Sequence, residues 1–315
     1  MHRSIFVISA FQSKGLSVRN GELLLTDTET GKTLTKMPFQ KILALIVIGS
    51  FTLSSAVLEK CTAHAVAIVL LKQNLRPIMV HAPHAEANFL LRKQQFSHLP
   101  FHFPVARQLV ANKTENQIAA LKATRRRDSL TLNACTQCGA FLNDIETVQD
   151  PETLMGMEGR CAKMFFAAFY QDMEWKGRFP RTKQDPLNVC LDLGYSMLFN
   201  WVDVMLRLFG FDPYIGVYHR LWFKRKSLVC DLMEPLRPIV DRTVLKAFHL
   251  KQFSYEHFAL FKGQYTLSRE FSSSYYRLFS ESFMRYKTEI FLFVRGYYRA
   301  IMKNPDHPQI PHFVL

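Results

Sequence analysis

The sequence predicts an α+β protein in which a small N-terminal β-rich domain (1–81) is followed by a large all-helical domain (86–315), with a linker at 82–85. Three observations carry this. The first eighty or so residues hold short β-branched or apolar runs separated by turn dipeptides. The pattern changes at His81-Ala82-Pro83-His84, after which apolar residues recur at spacings of three and four. Strands come first and helices after, without βαβ alternation, which argues against a doubly wound sheet.

The expected strands are 4–11, 16–19, 22–27, 44–48, 65–70 and 77–81. Asn20-Gly21 is a strong hairpin signal, and Glu29-Thr30-Gly31-Lys32 marks another turn. A short helix near 54–63 interrupts the sheet. Beyond the linker the helical windows are 86–95, 104–124, 138–147, 151–174, 186–209, 235–250 and 269–302. Phe271, Tyr275, Phe279 and Phe283 form an aromatic stripe at helical spacing, read as a packing face.

Composition narrows the function classes. Of 315 residues, 48% are hydrophobic, enough for a substantial core. Forty Lys and Arg against 26 Asp and Glu give a formal charge of +14, which calls for a polyanionic partner, nucleic acid first. Apolar runs such as 42–48 and 65–71 fall well short of the roughly 20 residues that cross a bilayer, so no membrane partner is expected. The opening M-H-R-S-I-F-V-I-S-A-F reads as a first strand, since no cleavage site follows it. Cys61, Cys161, Cys190 and Cys230 sit singly in apolar surroundings, as in a reducing cytoplasm. Cys135 and Cys138 make a C-x-x-C with no second pair to complete a zinc site. There is no G-x-x-x-x-G-K or G-x-G-x-x-G, so nucleotide-driven chemistry is not expected.

Three places put ionisable groups where apolar ones would be ordinary. Glu158 lies in M-G-M-E-G-R-C-A-K, where a strongly apolar helix is about to begin; an acid favoured by the helix dipole is the plain alternative. His219 ends F-G-F-D-P-Y-I-G-V-Y-H. Asp231 and Glu234 stand three apart in S-L-V-C-D-L-M-E-P-L-R-P, where a capping box is the competing explanation. Two carboxylates and an imidazole form a ligand set suited to Mg²⁺ or Mn²⁺ with open positions. Lys224, Arg225, Lys226 and Arg237 are candidate contacts to a DNA backbone. Lys122 with Arg125, Arg126 and Arg127 is a second basic cluster, or a solvated helix end.

At these motifs the chain resembles the CRISPR-associated protein 1 family. The resemblance runs in order through L-I-V-I-G-S-F-T-L-S-S-A-V-L-E-K-C, L-M-G-M-E-G-R-C-A-K, L-G-Y-S-M-L-F-N, F-G-F-D-P-Y-I-G-V-Y-H and S-L-V-C-D-L-M-E-P-L-R-P-I-V-D. It implies that Glu158, His219 and Glu234 are the catalytic metal ligands, with Glu234 where many members carry Asp. It further implies that Asp231 is an accessory acid, and that Lys163 and Asn200 match recurrent polar positions without an assigned role. By the same resemblance the β-rich domain forms a homodimer and CRISPR-associated protein 2 bridges two dimers. The helical domain is then catalytic: the 3′-hydroxyl of a short double-stranded DNA fragment attacks the CRISPR repeat at its leader end. A structure-selective nuclease on branched or broken DNA would share the site with water as nucleophile, and a non-enzymatic DNA-binding scaffold would use the charge alone.

Overall fold

In the computed structural model of the chain, residues 3–9, 14–98, 102–180 and 182–315 are described. Ala10 and Phe11, expected to end the first strand, lie outside them.

Seven strands open the chain: β1 (Ser4–Ser9), β2 (Lys14–Arg19), β3 (Glu22–Asp27), β4 (Thr33–Pro38), β5 (Ile42–Ile48), β6 (Ala67–Leu71) and β7 (Pro77–His81), with helix α1 (Ser55–Ala63) between β5 and β6. They form two sheets. One has the order β1-β5-β6-β7, with β1, β5 and β6 parallel and β7 antiparallel; the other is the antiparallel meander β2-β3-β4. Asn20 and Gly21, at φ 51° and 75°, make the tight turn that joins β2 to β3. Two expectations need correction. Strand β4, T-L-T-K-M-P, is not among the expected strands, because none of its residues is fully buried, Leu34 and Lys36 face outward together, and only an edge position tolerates its proline. The segment β5-α1-β6 is a parallel crossover, so one βαβ unit does exist here.

Strand β5 is buried on both faces, and its alternation divides two cores. Leu45 and Val47 join Ile8, Leu23, Leu25, Val57 and Ile68 between the sheets. Ala44, Ile46 and Ile48 turn the other way, into a core continuous with the helices. The expected linker is part of this packing. Pro83–Glu86 forms a short helix, α2, and Ala82 and Ala85 are buried.

The helical part comprises α3 (Phe89–His98), α4 (Phe103–Ala123), α5 (Ser129–Asp144), α6 (Pro151–Phe169), α7 (Pro186–Phe209), α8 (Ser227–Met233), α9 (Arg237–His249), α10 (Arg269–Arg285) and α11 (Lys287–Lys303). Helix α7 is the central pillar. Asp185 caps it by accepting the Asn188 N–H, Pro186 fills its first turn, and Gly210 ends it at φ 88°. It is long and apolar enough to cross a membrane, yet 67% of its apolar window is buried inside the protein, as befits a core helix. At Gly194 a Cβ would meet Val240 Cγ1 at 2.5 Å and Phe279 Cε1 at 2.6 Å, so α9 and α10 close directly onto the pillar. Tyr275, Phe279 and Phe283 are buried in that contact, while Phe271 stacks on His257 at 4.0 Å.

The helical part also contains strands: β8 (Phe258–Phe261) and β9 (Gln264–Leu267) form a hairpin through Lys262 and Gly263, both at positive φ. The final segment is stitched to α4. Asn112 exchanges hydrogen bonds with the backbone of Phe313, and one amide group, Asn116 Nδ2, donates to both Phe313 O (2.9 Å) and Pro235 O (3.0 Å).

Candidate active site

Four segments converge on one buried polar cluster. Helix α6 brings Glu158. Its Asp150 cap and Pro151 set the helix start, which places Glu158 two turns inside. This overturns the dipole explanation for that acid, since the dipole acts within the first turn. Helix α4 brings Lys113, whose side chain is only 10% exposed. The loop after α7 brings Tyr218 and His219. The break between α8 and α9, a 3-10 turn opened by Glu234 and Pro235, brings Glu234 and Arg237.

Lys113 Nζ pairs with Glu158 Oε1 and lies 2.7 Å from Glu234 Oε2. The two acids therefore meet on opposite sides of one shared ammonium. Tyr218 donates its hydroxyl to the other oxygen of Glu158 at 2.7 Å. Arg237 Nε lies 2.9 Å from Glu234 Oε2, and its guanidinium stacks over the Tyr195 ring at 4.7 Å. Burial alone would raise the Glu234 carboxyl, but Arg237, Lys113 and His219 outweigh it and hold it well below the usual range. Burial works against the Lys113 ammonium, and the two glutamates more than compensate, so its pKa lies above the ordinary value.

Asp231 is fully buried and serves the loop rather than its own helix, which removes the capping-box reading. Its Oδ2 accepts the N–H groups of Val217 (2.6 Å) and Tyr218 (3.2 Å), and its Oδ1 accepts the His219 N–H (2.9 Å) and pairs with His219 Nδ1 (2.6 Å). One carboxylate thus fixes the backbone before His219 and the orientation of its ring. Nε2 remains the nitrogen with no described hydrogen-bond partner. Gly216 makes this packing possible, because a Cβ there would lie 2.4 Å from Asp231 Oδ2.

As the side chains stand, no group of three or more His, Cys, Asp or Glu among the described residues is close enough to hold a metal ion. The donors nevertheless fit one. Glu234 Oε2 is buried, and although Lys113 and Arg237 are within ion-pairing distance, neither is aligned as a hydrogen bond. A carboxylate oxygen in that condition, sharing one cation with a second acid, is chemically suited to a hard divalent ion.

The expected DNA contacts divide. Lys224 and Arg225 are exposed on the loop. Lys226 turns inward to Asp203 at 2.7 Å, and Arg237 to Glu234. In the second basic cluster, Arg126 donates to the carbonyls of Ala168 and Phe169 at the end of α6 and pairs with Asp172. Asn200 donates to the Asn74 carbonyl, and Lys163 is exposed. Cys138 is buried beside Cys161 between α5 and α6, and Cys135 is half-buried.

Lys113 and Tyr218 were not singled out from sequence. Lys113 was findable. Val105, Leu109, Ala120 and Leu121 define the buried stripe of α4, and Asn112, Lys113, Asn116 and Gln117 continue that stripe with polar side chains, all buried. A lysine on the core face of a helix needs acidic partners elsewhere in the chain.

The chain is 26% identical over 289 residues to the CRISPR-associated endonuclease Cas1 1 of Thermodesulfovibrio yellowstonii, covering 88% of this chain and 91% of that one. Its fold matches a chain in a structure of a partial Cas6-RT-Cas1–Cas2 complex with a TM-score of 0.86 at 19% identity, covering 100% of both chains. It also matches a casposase bound to an integration product, with a TM-score of 0.68 at 18% identity, covering 98% and 99% respectively. Residues 9–281 match the family model described as CRISPR associated protein Cas1, and the chain belongs to that family.

Proposed function

We propose that the chain is a divalent-metal-dependent DNA integrase and endonuclease of CRISPR spacer acquisition, acting in the cytoplasm. The observation that carries this is the convergence of Glu158 and Glu234, from separate elements, on one buried cationic position, held by Lys113, near a histidine oriented by Asp231. Glu158, His219 and Glu234 would hold Mg²⁺ or Mn²⁺, which when bound supplies charge stabilisation at a phosphodiester. Family membership and the likeness to a casposase bound to an integration product support strand transfer: the 3′-hydroxyl of a short DNA fragment attacks the repeat at its leader end.

The chain's own residues do the rest. Asp231 holds His219 in the orientation that leaves Nε2 free. Tyr218 fixes one oxygen of Glu158 so that the other faces Glu234. Lys113 offsets the repulsion between the two acids when no metal is bound, and Arg237 pairs with Glu234 while its guanidinium lies over Tyr195. Lys224 and Arg225 supply phosphate contacts, consistent with the excess of positive charge. The β-rich domain (1–81) pairs two copies, and a CRISPR-associated protein 2 partner bridges dimers, a reading supported by the Cas1–Cas2 complex whose chain shares this fold.

The deciding experiment supplies a 3′-hydroxyl DNA donor and a repeat-containing plasmid. Joined products are expected from the wild type and none from Glu234→Ala, with DNA affinity retained in the variant because binding rests on Lys and Arg. Joining by a folded Glu234→Ala protein would remove this site from the mechanism. Cut but unjoined wild-type products would favour a structure-selective nuclease.

A further inference from the structure

The C-x-x-C of α5, which the candidate site leaves unused, has a third cysteine against it. Cys135 and Cys138 stand one turn apart on α5, and Cys161 meets Cys138 from α6. The Cys138 thiol has two acceptors on Cys161, the carbonyl oxygen at 3.8 Å and the sulfur. Both cysteines are buried, at 0% and 3% exposure, in a small apolar core with Ala106, Val110, Phe141 and Leu154. Cys135 is half-buried.

The two paired sulfurs are not equivalent. The hydrogen bond from Cys138, helped by Arg160 and Lys113, holds the Cys161 thiol below its ordinary range, against burial and Glu158, which act the other way. The same hydrogen bond, with burial, pushes the Cys138 thiol up, so that it keeps its proton. A cavity of about 560 Å³ lies between α5 and α6, with Cys161, Phe141, Met157 and Met164 in its wall and the exposed Arg160 and Lys163 beside them. A small oxidant therefore has a way to the more reactive sulfur. Cys61 and Cys190 lack this setting: burial alone pushes the Cys61 thiol up to about 11 and raises Cys190 as well.

We propose that Cys138 and Cys161 form a reversible disulfide when the protein meets hydrogen peroxide, and that the bond is a switch on Glu158, three residues before Cys161 on α6. The Cys161 thiolate attacks one peroxide oxygen, giving a sulfenic acid and releasing hydroxide, which takes up the proton that Cys161 gave up. The Cys138 sulfur then attacks the sulfenic sulfur, and its proton leaves with the displaced hydroxide as water. Two thiols and one peroxide become one disulfide and two waters.

A disulfide holds its sulfurs at about 2.0 Å, well inside van der Waals contact, so α5 and α6 must shift to make it. Glu158 rides on α6, whereas its partners Lys113 and Tyr218 come from other elements. Misplacing a reacting group by about 1 Å costs up to roughly a hundredfold in rate. The effect on activity rests on the DNA-acting reading above; formation of the disulfide does not.

The full-length protein is reduced, exposed to graded hydrogen peroxide, alkylated, and digested without reductant for mass spectrometry. A cross-link between the peptides carrying Cys138 and Cys161 is expected, with free thiols falling from six to four and returning on treatment with dithiothreitol. Cys135→Ser should form the same bond. Cys138→Ser should stop at the Cys161 sulfenic acid, which dimedone captures. Strand transfer by the oxidised wild type should fall about tenfold or more and recover on reduction. A bond between Cys135 and Cys138, six free thiols after treatment, or oxidation of Cys161 without a cross-link would overturn the disulfide. A cross-linked protein with unchanged strand transfer would overturn the switch. Failure of the DNA reading itself looks different, because the reduced protein would then join nothing while the cross-link still formed; the switch would fall with that reading and the disulfide would stand.

Discussion

Asp231→Asn tests the architecture of the site most directly. The change preserves size and shape and alters one atom's hydrogen-bonding sense. In the wild type each carboxylate oxygen receives two donors: Oδ2 the N–H groups of Val217 and Tyr218, and Oδ1 the N–H and Nδ1 of His219. An amide can accept at only one of these positions. With the NH₂ group toward Val217 and Tyr218, two buried hydrogen bonds are lost; toward His219, the bond from its backbone N–H is lost and Nδ1 must turn acceptor, which moves the ring proton to Nε2. Hydrogen bonds to charged groups contribute about 1.5–3 kcal/mol each, so the variant should be less stable by roughly 1.5–6 kcal/mol. At about 2 °C per kcal/mol for a chain of this size, the melting temperature should fall by roughly 3–12 °C. Metal-dependent strand transfer should fall much further than the folded fraction explains, because the His219 ring loses its anchor. Thermal melts and the joining assay, run on the same preparations, measure both. A melting temperature within about 2 °C of the wild type would refute the accounting, since four donors would then have no need of that acid.

Further outcomes follow from other contacts. Lys113→Met leaves Glu158 and Glu234 facing each other with Arg237 as the remaining cation, at a cost of about 3–5 kcal/mol, and Mn²⁺ should raise the variant's melting temperature more than the wild type's; an equal rise would show that the ion does not bind between these acids. His219→Ala should shift the Mn²⁺ titration of activity to higher concentration, and an unmoved curve would make that residue structural. Burial raises the Asp241 carboxyl from 3.8 to about 7, against the Tyr195 hydroxyl bond that lowers it. Between those values the folded state keeps a proton that the unfolded chain has released, so this group lowers stability as pH rises from about 4 to about 7. The stability of Asp241→Asn relative to the wild type should therefore grow by a few kcal/mol across that window, as melts at successive pH values would show. Gly194→Ala forces a methyl group into Val240 and Phe279 and should cost about 1–3 kcal/mol in a urea titration.

What the sequence revealed, and what it hid, follows the reach of each interaction. Helix α7 was legible residue for residue because Asp185, Pro186 and Gly210 punctuate both ends locally. The β2–β3 hairpin was legible for the same reason, through Asn20-Gly21. The break between α10 and α11 at Tyr286 was not, since no glycine or proline marks it. Strand β4 was missed because an edge strand needs only one partner and little apolar patterning. At the site, the three expected ligands could be named from motif resemblance, and the convergence of the two acids on Lys113 was hidden because those contacts join residues 45 and 121 positions apart. Lys226 and Arg237 show the same limit: a basic residue beside an acidic motif reads as a ligand for phosphate until the fold reveals the carboxylate it already serves.

Asn116 gives the site a long lever. Because a single side-chain amide grips the carbonyl of Pro235 and that of Phe313, the turn carrying Glu234 and the last residues of the chain share one hinge pin. A perturbation of the segment around Phe313, far along the chain from any acid of the cluster, is mechanically upstream of the position of Glu234. Attachments or cuts made there for convenience are changes to the geometry around Glu234, and an inactive preparation so altered says little about the residues of the candidate site.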